Sequence, residues 1–180
     1  MLKNDGEVGE AFSQPPIVAY KRPCNIKDQL VRSKLGQYHD SNSPPGTHPC
    51  NKHNCKACPF LDRTPLLKGH QSDFVVKKMF SCQMTNLVYV LRCQRCNVLY
   101  IGETGRTLET RFSEHLADLR HGRQNSPVTK HFSLPGHTQE DLRVQILWLV
   151  TGDIVDRKHM ESWFISKLGT KAPDGLNQKI

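Results

Sequence analysis

Apolar residues show no regular spacing through the first part of the chain, and become periodic from Phe74 onward. Residues 85–93 (TNLVYVLRC) and 97–104 (NVLYIGET) are rich in Val, Leu, Ile and Tyr and predict two strands, close enough to pair as a hairpin. The period then changes to that of a helix. Residues 107–121 (TLETRFSEHLADLRH) place Leu108, Phe112, Leu116 and Leu119 on one stripe, with Thr107 as N-cap and Gly122 just past the end. Ser126-Pro127 reads as an N-cap followed by proline in the first helical position, opening a short helix through Phe132 that stops near Pro135-Gly136. Residues 142–150 (LRVQILWLV) predict a third strand, and residues 153–168 a helix closed by Gly169. The order strand, strand, helix, helix, strand, helix predicts an α+β fold, a small sheet of about three strands flanked by helices.

Upstream, residues 1–23 and 36–54 mix Gly, Ser, Asn and paired prolines without periodicity and read as loop. Between them residues 26–35 (IKDQLVRSKL) form a candidate short helix. The expected organisation is a flexible linker with that helix over 1–45, a cysteine-rich metal-knuckle connector over 46–84, and the main domain over 85–180. A chain of 180 residues is too short for a large multidomain enzyme.

Charge adds a class of partner. Lys and Arg number 25 against 17 Asp and Glu, a formal net charge of +8 that favours polyanions through phosphate neutralisation and counterion release. Lys77, Lys78, Arg92, Arg95, Arg106, Arg111, Arg120, Arg123 and Lys130 cluster in sequence around the two predicted strands and the helix after them. Such residues contact phosphates rather than base edges, so salt-sensitive binding with weak sequence preference is expected. No apolar run approaches the roughly 20 residues that cross a bilayer, and no hydrophobic stretch follows a basic one at the N-terminus. An intracellular, nuclear protein is expected, with DNA as partner and neither a membrane nor a small-molecule substrate.

Seven cysteines at close spacings in a reducing compartment point to metal ligation ahead of a disulfide framework. Cys93 and Cys96 form a CxxC knuckle, and with His131 and His137 they would make a tetrahedral Zn²⁺ set tying the loop between the two strands to the short helix, the ordinary alternative being a pair of reduced thiols and two surface histidines. Cys50, Cys55 and Cys58 form a second group. Its segment is too polar to pack a core, so a structural zinc would be its main source of folding energy. Cys82 is the favoured fourth ligand, brought back by a strand within 68–80, with His53 and then His48 as alternatives. Cys24 is left as an ordinary thiol.

Two tripeptides carry a resemblance. Tyr100-Ile101-Gly102 is one, and Leu87-Val88-Tyr89 stands where a Gly-Ile-Tyr would, with ten residues between the tyrosines. Arg111 and His115 follow on the predicted helix, then Glu161 in ESWFISKL and Gly175-Leu176-Asn177. In this ordered co-occurrence the sequence resembles the GIY-YIG nucleases, and more narrowly the endonuclease domain of Penelope-like retroelements, which carry such a Cys-Cys-His-His set. The resemblance implies metal-dependent DNA endonuclease activity. It implies that Tyr89 and Tyr100 act in water activation or phosphate contact, and that Arg111 stabilises the phosphate charge. His115 would be a general acid/base or phosphate contact, Glu161 the ligand of Mg²⁺ or Mn²⁺, and Asn177 a supporting polar residue. Phosphodiester hydrolysis needs an activated water, a cation facing the oxyanion and a metal on the phosphate, which Tyr, Arg and Glu can together provide. Arg106 competes with Arg111 for its role, and His121 with His115. Taken singly, each residue also has an ordinary use: tyrosines pack in strands, and arginine and glutamate solvate helix faces. Two alternatives stay open. One is a zinc-stabilised nucleic-acid-binding module derived from a retroelement with catalysis lost, since the chain has no room for a reverse transcriptase. The other is a branched-DNA repair nuclease.

Overall fold

The computed structural model describes residues 44–178. The expected helix over 26–35, the loop over 1–23 and Cys24 lie outside the described residues. At the centre is a three-stranded antiparallel sheet. Strand β5 (Leu87–Cys93) lies between β6 (Leu99–Thr104) and β7 (Leu142–Leu149). Helix α1 (Leu108–Arg120) follows β6, α2 (Pro127–Phe132) follows it, and α3 (Ile154–Leu168) follows β7. The expected order of elements is present, and the α+β class with it.

Local chemistry sets the helix limits as the pattern predicts. The Thr107 hydroxyl accepts the Thr110 N–H at 3.1 Å, and Leu108, Phe112 and Leu116 are buried along one stripe. Ser126 caps α2 in a reciprocal box with Thr129, ahead of Pro127, and Asp153 caps α3 in the same way with Asp156. Gly169 ends α3 in the left-handed region at φ 65°, where an L side chain is strained.

Central strand β5 is apolar on both faces because both are covered, and Leu87 to Leu91 are each at most 2% exposed. Leu87, standing where the tripeptide pattern has glycine, is absorbed by this core and pairs regularly with Thr104 and Leu149. The irregularity falls one residue later. Between Val88 and Tyr89 the register with β7 shifts, so that Val88 faces Trp148 and Tyr89 faces Ile146. Beside this bulge the buried Thr47 hydroxyl takes the Ile146 N–H at 2.8 Å.

Thr47 comes from a strand that the polar composition of 36–54 hid. Strand β1 (Gly46–His48) pairs in parallel with β4 (Met79–Ser81), and β2 (Leu66–Leu67) pairs with β3 (Phe74–Val75). The expected single returning strand in 68–80 is therefore two short ones, each with a different partner. Both outer edges of the central sheet are closed, which removes templates for unwanted pairing. Along β7, Leu61 bridges Val144, Asp62 donates its N–H to the Val144 carbonyl, and Gln145 donates to the Thr64 carbonyl. Along β6 the closing groups belong to the candidate site.

Candidate active site

Directly opposite residues in an antiparallel pair put their side chains on one face, and the register here sets Tyr89 against Gly102 and Leu91 against Tyr100. Both tyrosines and the glycine therefore share a face. The Tyr89 ring lies across the position a Gly102 side chain would occupy: a methyl group there would sit 2.6 Å from the Tyr89 hydroxyl oxygen. The glycine of the second tripeptide is thus a requirement of the tyrosine of the first.

Helix α1 covers that face and brings two polar groups to the Tyr89 hydroxyl. The Arg111 Nε–H donates to it at 3.1 Å, and His115 Nε2 lies 2.8 Å away. Tyr100 packs edge-on against the same imidazole, with ring centroids 6.1 Å apart. Burial is the main influence on each group. It holds the His115 imidazole down at about 4, with the Arg111 charge adding to the effect, so the ring is neutral near pH 7. It raises the Tyr89 hydroxyl despite Arg111, and raises Tyr100 with help from the Glu161 charge. A neutral His115 carries one ring proton, and with that proton on Nδ1 the Tyr89 hydroxyl donates to Nε2. The three groups form a chain, Arg111 to Tyr89 to His115. Arg111 also donates to Glu114 at 3.0 Å, which is shared with Arg106. Neither competitor reaches the tyrosines, since Arg106 pairs with Glu114 on the surface and His121 bonds the Ala117 carbonyl of its own helix.

Glu161 and Asn177 meet β6 from its open edge. Alternate residues Leu99, Ile101 and Glu103 turn their backbone groups away from β5. The Leu176 N–H donates to the Leu99 carbonyl at 2.9 Å. Asn177 Oδ1 accepts from the Ile101 N–H at 2.9 Å and from the Thr170 hydroxyl at 2.8 Å, and the Asn177 amide nitrogen donates to the Ile101 carbonyl at 2.8 Å. Next along, the backbone of Glu103 bonds the Glu161 carboxylate. Glu161 is half-buried and makes no ion pair among the described residues. Its carboxyl is raised by burial first and by Glu103 second, while Arg111 and Lys158 pull it down. A desolvated carboxylate without a counter-ion is a hard oxygen donor suited to Mg²⁺ or Mn²⁺. Asn177, by contrast, has its amide occupied by backbone and shapes the edge on which Glu161 sits.

Both cysteine groups converge. In Cys93, Cys96, His131 and His137 the ligand atoms lie within 4.8 Å of one another, as they do in Cys50, Cys55, Cys58 and Cys82. Cys82 is the fourth member of that convergent group, while the alternative His48 bonds the Pro44 carbonyl. The gaps Cys50–Cys58 at 3.7 Å and Cys58–Cys82 at 3.4 Å are far longer than a disulfide of about 2.05 Å. They approach the edge of a tetrahedron built on metal–sulfur bonds of about 2.3 Å. In the first group Cys96 Sγ lies 3.4 Å from His131 Nε2, and both ring nitrogens of buried-side His137 lack any partner. Polar atoms so placed fit a zinc ligand role.

The basic cluster is thinner than its sequence suggests. Arg92 pairs with Asp62, Arg95 with Asp141 and Arg123 with Asp118, while the Lys78 ammonium lies 5.7 Å from the Trp148 ring centroid. Sequence reasoning named Glu114 only as a possible helix-face partner of Arg111, a pair the structure contains, and did not single out Glu103 or Glu109. Each takes its place through a partner remote in sequence or by sharing one with a site residue, as Glu103 does with Arg157 at 2.9 Å.

Residues 85–143 match the GIY-YIG catalytic domain family. No curated protein matches the chain. Among solved structures the chain is similar to the catalytic domain of homing endonuclease I-TevI, at 20% identity and a TM-score of 0.45, over 52% of this chain and 97% of that one. It is similar also to a variant of the catalytic domain of intron endonuclease I-TevI, at 21% identity and a TM-score of 0.45, over 52% of this chain and 93% of that one. No helix among the described residues is long and apolar enough to cross a membrane.

Proposed function

We propose that the chain is a DNA endonuclease that hydrolyses phosphodiester bonds with Mg²⁺ or Mn²⁺, of the type carried by Penelope-like retroelements. One observation carries the reading: a buried tyrosine hydroxyl held between an arginine and a neutral histidine, on the sheet face that also holds the second tyrosine. A phenol raised by burial does not serve as a free phenolate near neutral pH. It can relay a proton. As water attacks phosphorus, its proton passes to the Tyr89 oxygen while the Tyr89 proton passes to His115 Nε2, which is unprotonated and able to receive it. Arg111 places fixed positive charge beside the same oxygen, where it would stabilise the negative charge that develops on the attacked phosphate. Tyr100 orients the phosphate. Glu161 would hold the divalent metal, which when bound supplies Lewis-acid stabilisation of the phosphate and of the leaving oxygen.

Cys93, Cys96, His131 and His137 would hold one structural zinc, and Cys50, Cys55, Cys58 and Cys82 a second. The first ties the turn between the tyrosine strands to α2, fixing the hairpin that positions Tyr89 against Tyr100.

Plasmid nicking in Mg²⁺ tests the assignment. Wild type is expected to convert supercoiled DNA to open circles, with Glu161→Ala and Arg111→Ala each slower by about 100-fold or more. Undiminished nicking by both variants overturns the residue roles. No nicking by pure, metal-replete wild type overturns the enzyme reading in favour of a zinc-stabilised DNA-binding module.

A further inference from the structure

The Cys50, Cys55, Cys58 and Cys82 group lies outside the proposed catalytic machinery, yet the start of the helix carrying Arg111 and His115 is docked on it. The first N–H groups of a helix have no partner within the helix. In α1, Leu108 donates to the Met84 carbonyl at 3.2 Å and Glu109 donates to the Cys82 carbonyl at 3.0 Å. The backbone holding the fourth thiol therefore terminates the helix. A side-chain bridge runs beside this one. Glu109, with 11% of its side chain exposed, accepts from Lys52 Nζ at 2.7 Å and from Gln83 Nε2 at 2.8 Å. The same Gln83 nitrogen lies 3.4 Å from Cys50 Sγ. Lys52 lies between the cysteines at 50 and 55, and Gln83 follows Cys82. Glu109 thus grips both arms of the thiol cluster from the first turn of α1.

We infer that this cluster is a tetrathiolate zinc site whose function is to set the position of the catalytic helix, with Glu109 as the positioning residue that joins the two. The inference rests on the nuclease reading for its effect on rate, while its effect on α1 is independent of that reading. The β1–β4 pairing brings the two arms side by side, and a centre shared by the four sulfurs would fix Lys52, Gln83 and the Cys82 carbonyl relative to one another. With the centre filled, the first turn of α1 has one location, and the Arg111 and His115 side chains reach the Tyr89 hydroxyl at hydrogen-bond distance. Misplacement of a reacting group by about 1 Å can cost about 100-fold in rate.

The test uses the full chain with Zn²⁺, or Co²⁺ as a visible probe, in wild type, Glu109→Ala, Glu109→Gln and Cys58→Ser. Three readouts are taken: metal content with the Co²⁺ thiolate absorption, hydrogen exchange at the amides of Leu108 to Arg111, and nicking rates separated into kcat and KM. Glu109→Ala is expected to keep the wild-type metal content, lose protection at those amides and lose kcat about ten- to 100-fold with KM little changed. Glu109→Gln, which still accepts from Lys52, should recover most of both. Cys58→Ser should lose one metal per chain and the same amide protection. Full metal content in Cys58→Ser overturns the site. Unaltered exchange and kcat in Glu109→Ala overturn the positioning role. A wild type that does not nick, but in which exchange follows Glu109 and the metal, removes the nuclease reading and leaves this inference standing.

Discussion

Gly102 stands directly opposite Tyr89 in the β5–β6 ladder, and a methyl group on it would lie 2.6 Å from the Tyr89 hydroxyl and 2.7 Å from the carbon bearing it. Neither atom belongs to the end of a flexible chain, because the ring is fully buried beneath α1. Gly102→Ala is expected to push the ring aside and destabilise the protein by about 1–3 kcal/mol, the usual range for overpacking. Urea unfolding measures it. A loss below a few tenths of a kcal/mol would mean that the ring does not need this space.

The His115–Tyr89 contact carries a pH signature. A histidine that loses proton affinity on folding favours the unfolded state wherever the unfolded chain is protonated and the native one is not. Folding lowers His115 from 6.5 to about 4, chiefly by burial. Its native environment is therefore fully tolerated above pH 6.5, and stability is lost as pH falls from there toward about 4, by roughly 3 kcal/mol at about 1.4 kcal/mol per unit. Thermal melts across that window should show the slope in wild type and a flatter one in His115→Gln. Equal slopes refute the assignment.

Asn177 separates architecture from chemistry. Its amide satisfies the Ile101 N–H, the Ile101 carbonyl and the Thr170 hydroxyl, all buried. Asn177→Ala leaves them without partners, which should destabilise by about 2–3 kcal/mol. Asn177→Asp keeps the accepting oxygen and puts a second one against the Ile101 carbonyl, and should be no better at neutral pH. Chemical denaturation tells these outcomes from a change confined to nicking.

Zinc content tests the proposed Cys93, Cys96, His131 and His137 site. His131→Ala and Cys96→Ser should each lower the zinc content by one per chain, and native mass spectrometry reads the count directly. The alanine variant also tests His137, whose ring nitrogens have no protein partner. A wild-type count in either variant removes that group as a zinc site.

The parts of the fold legible in sequence are those decided by neighbours within a few positions. The α1 stripe, the Thr107, Ser126 and Asp153 caps and the Gly169 stop each depend on contacts three to five residues apart. Spacings of three to five residues singled out Cys93–Cys96 and Cys50–Cys55–Cys58, whereas grouping them with His131, His137 and Cys82 depended on chain returning from farther away. What stayed hidden depends on long-range pairing. Strand β1 exists because Met79–Ser81 and Ile146 receive it, and nothing in a run of Pro, Gly, Thr and His announces that. The bulge after Val88 arises from β7, and the Glu109 bridge spans 57 positions to Lys52. Tyr89, Tyr100, Arg111 and His115 were read from an ordered motif. Their mutual contact follows from β5–β6 register and the placement of α1, which no motif encodes.

The clasp of Asn177 on Ile101 joins positions 76 apart, and a ribosome delivers them in that order. At about 5–20 residues per second, strand β6 waits roughly 4 to 15 seconds after emerging before its outer side can be covered. During that interval a newly made chain exposes a bare row of amides and carbonyls to every neighbouring polysome product. Slower translation should therefore lower the soluble yield of this protein while leaving the stability of the finished molecule unchanged.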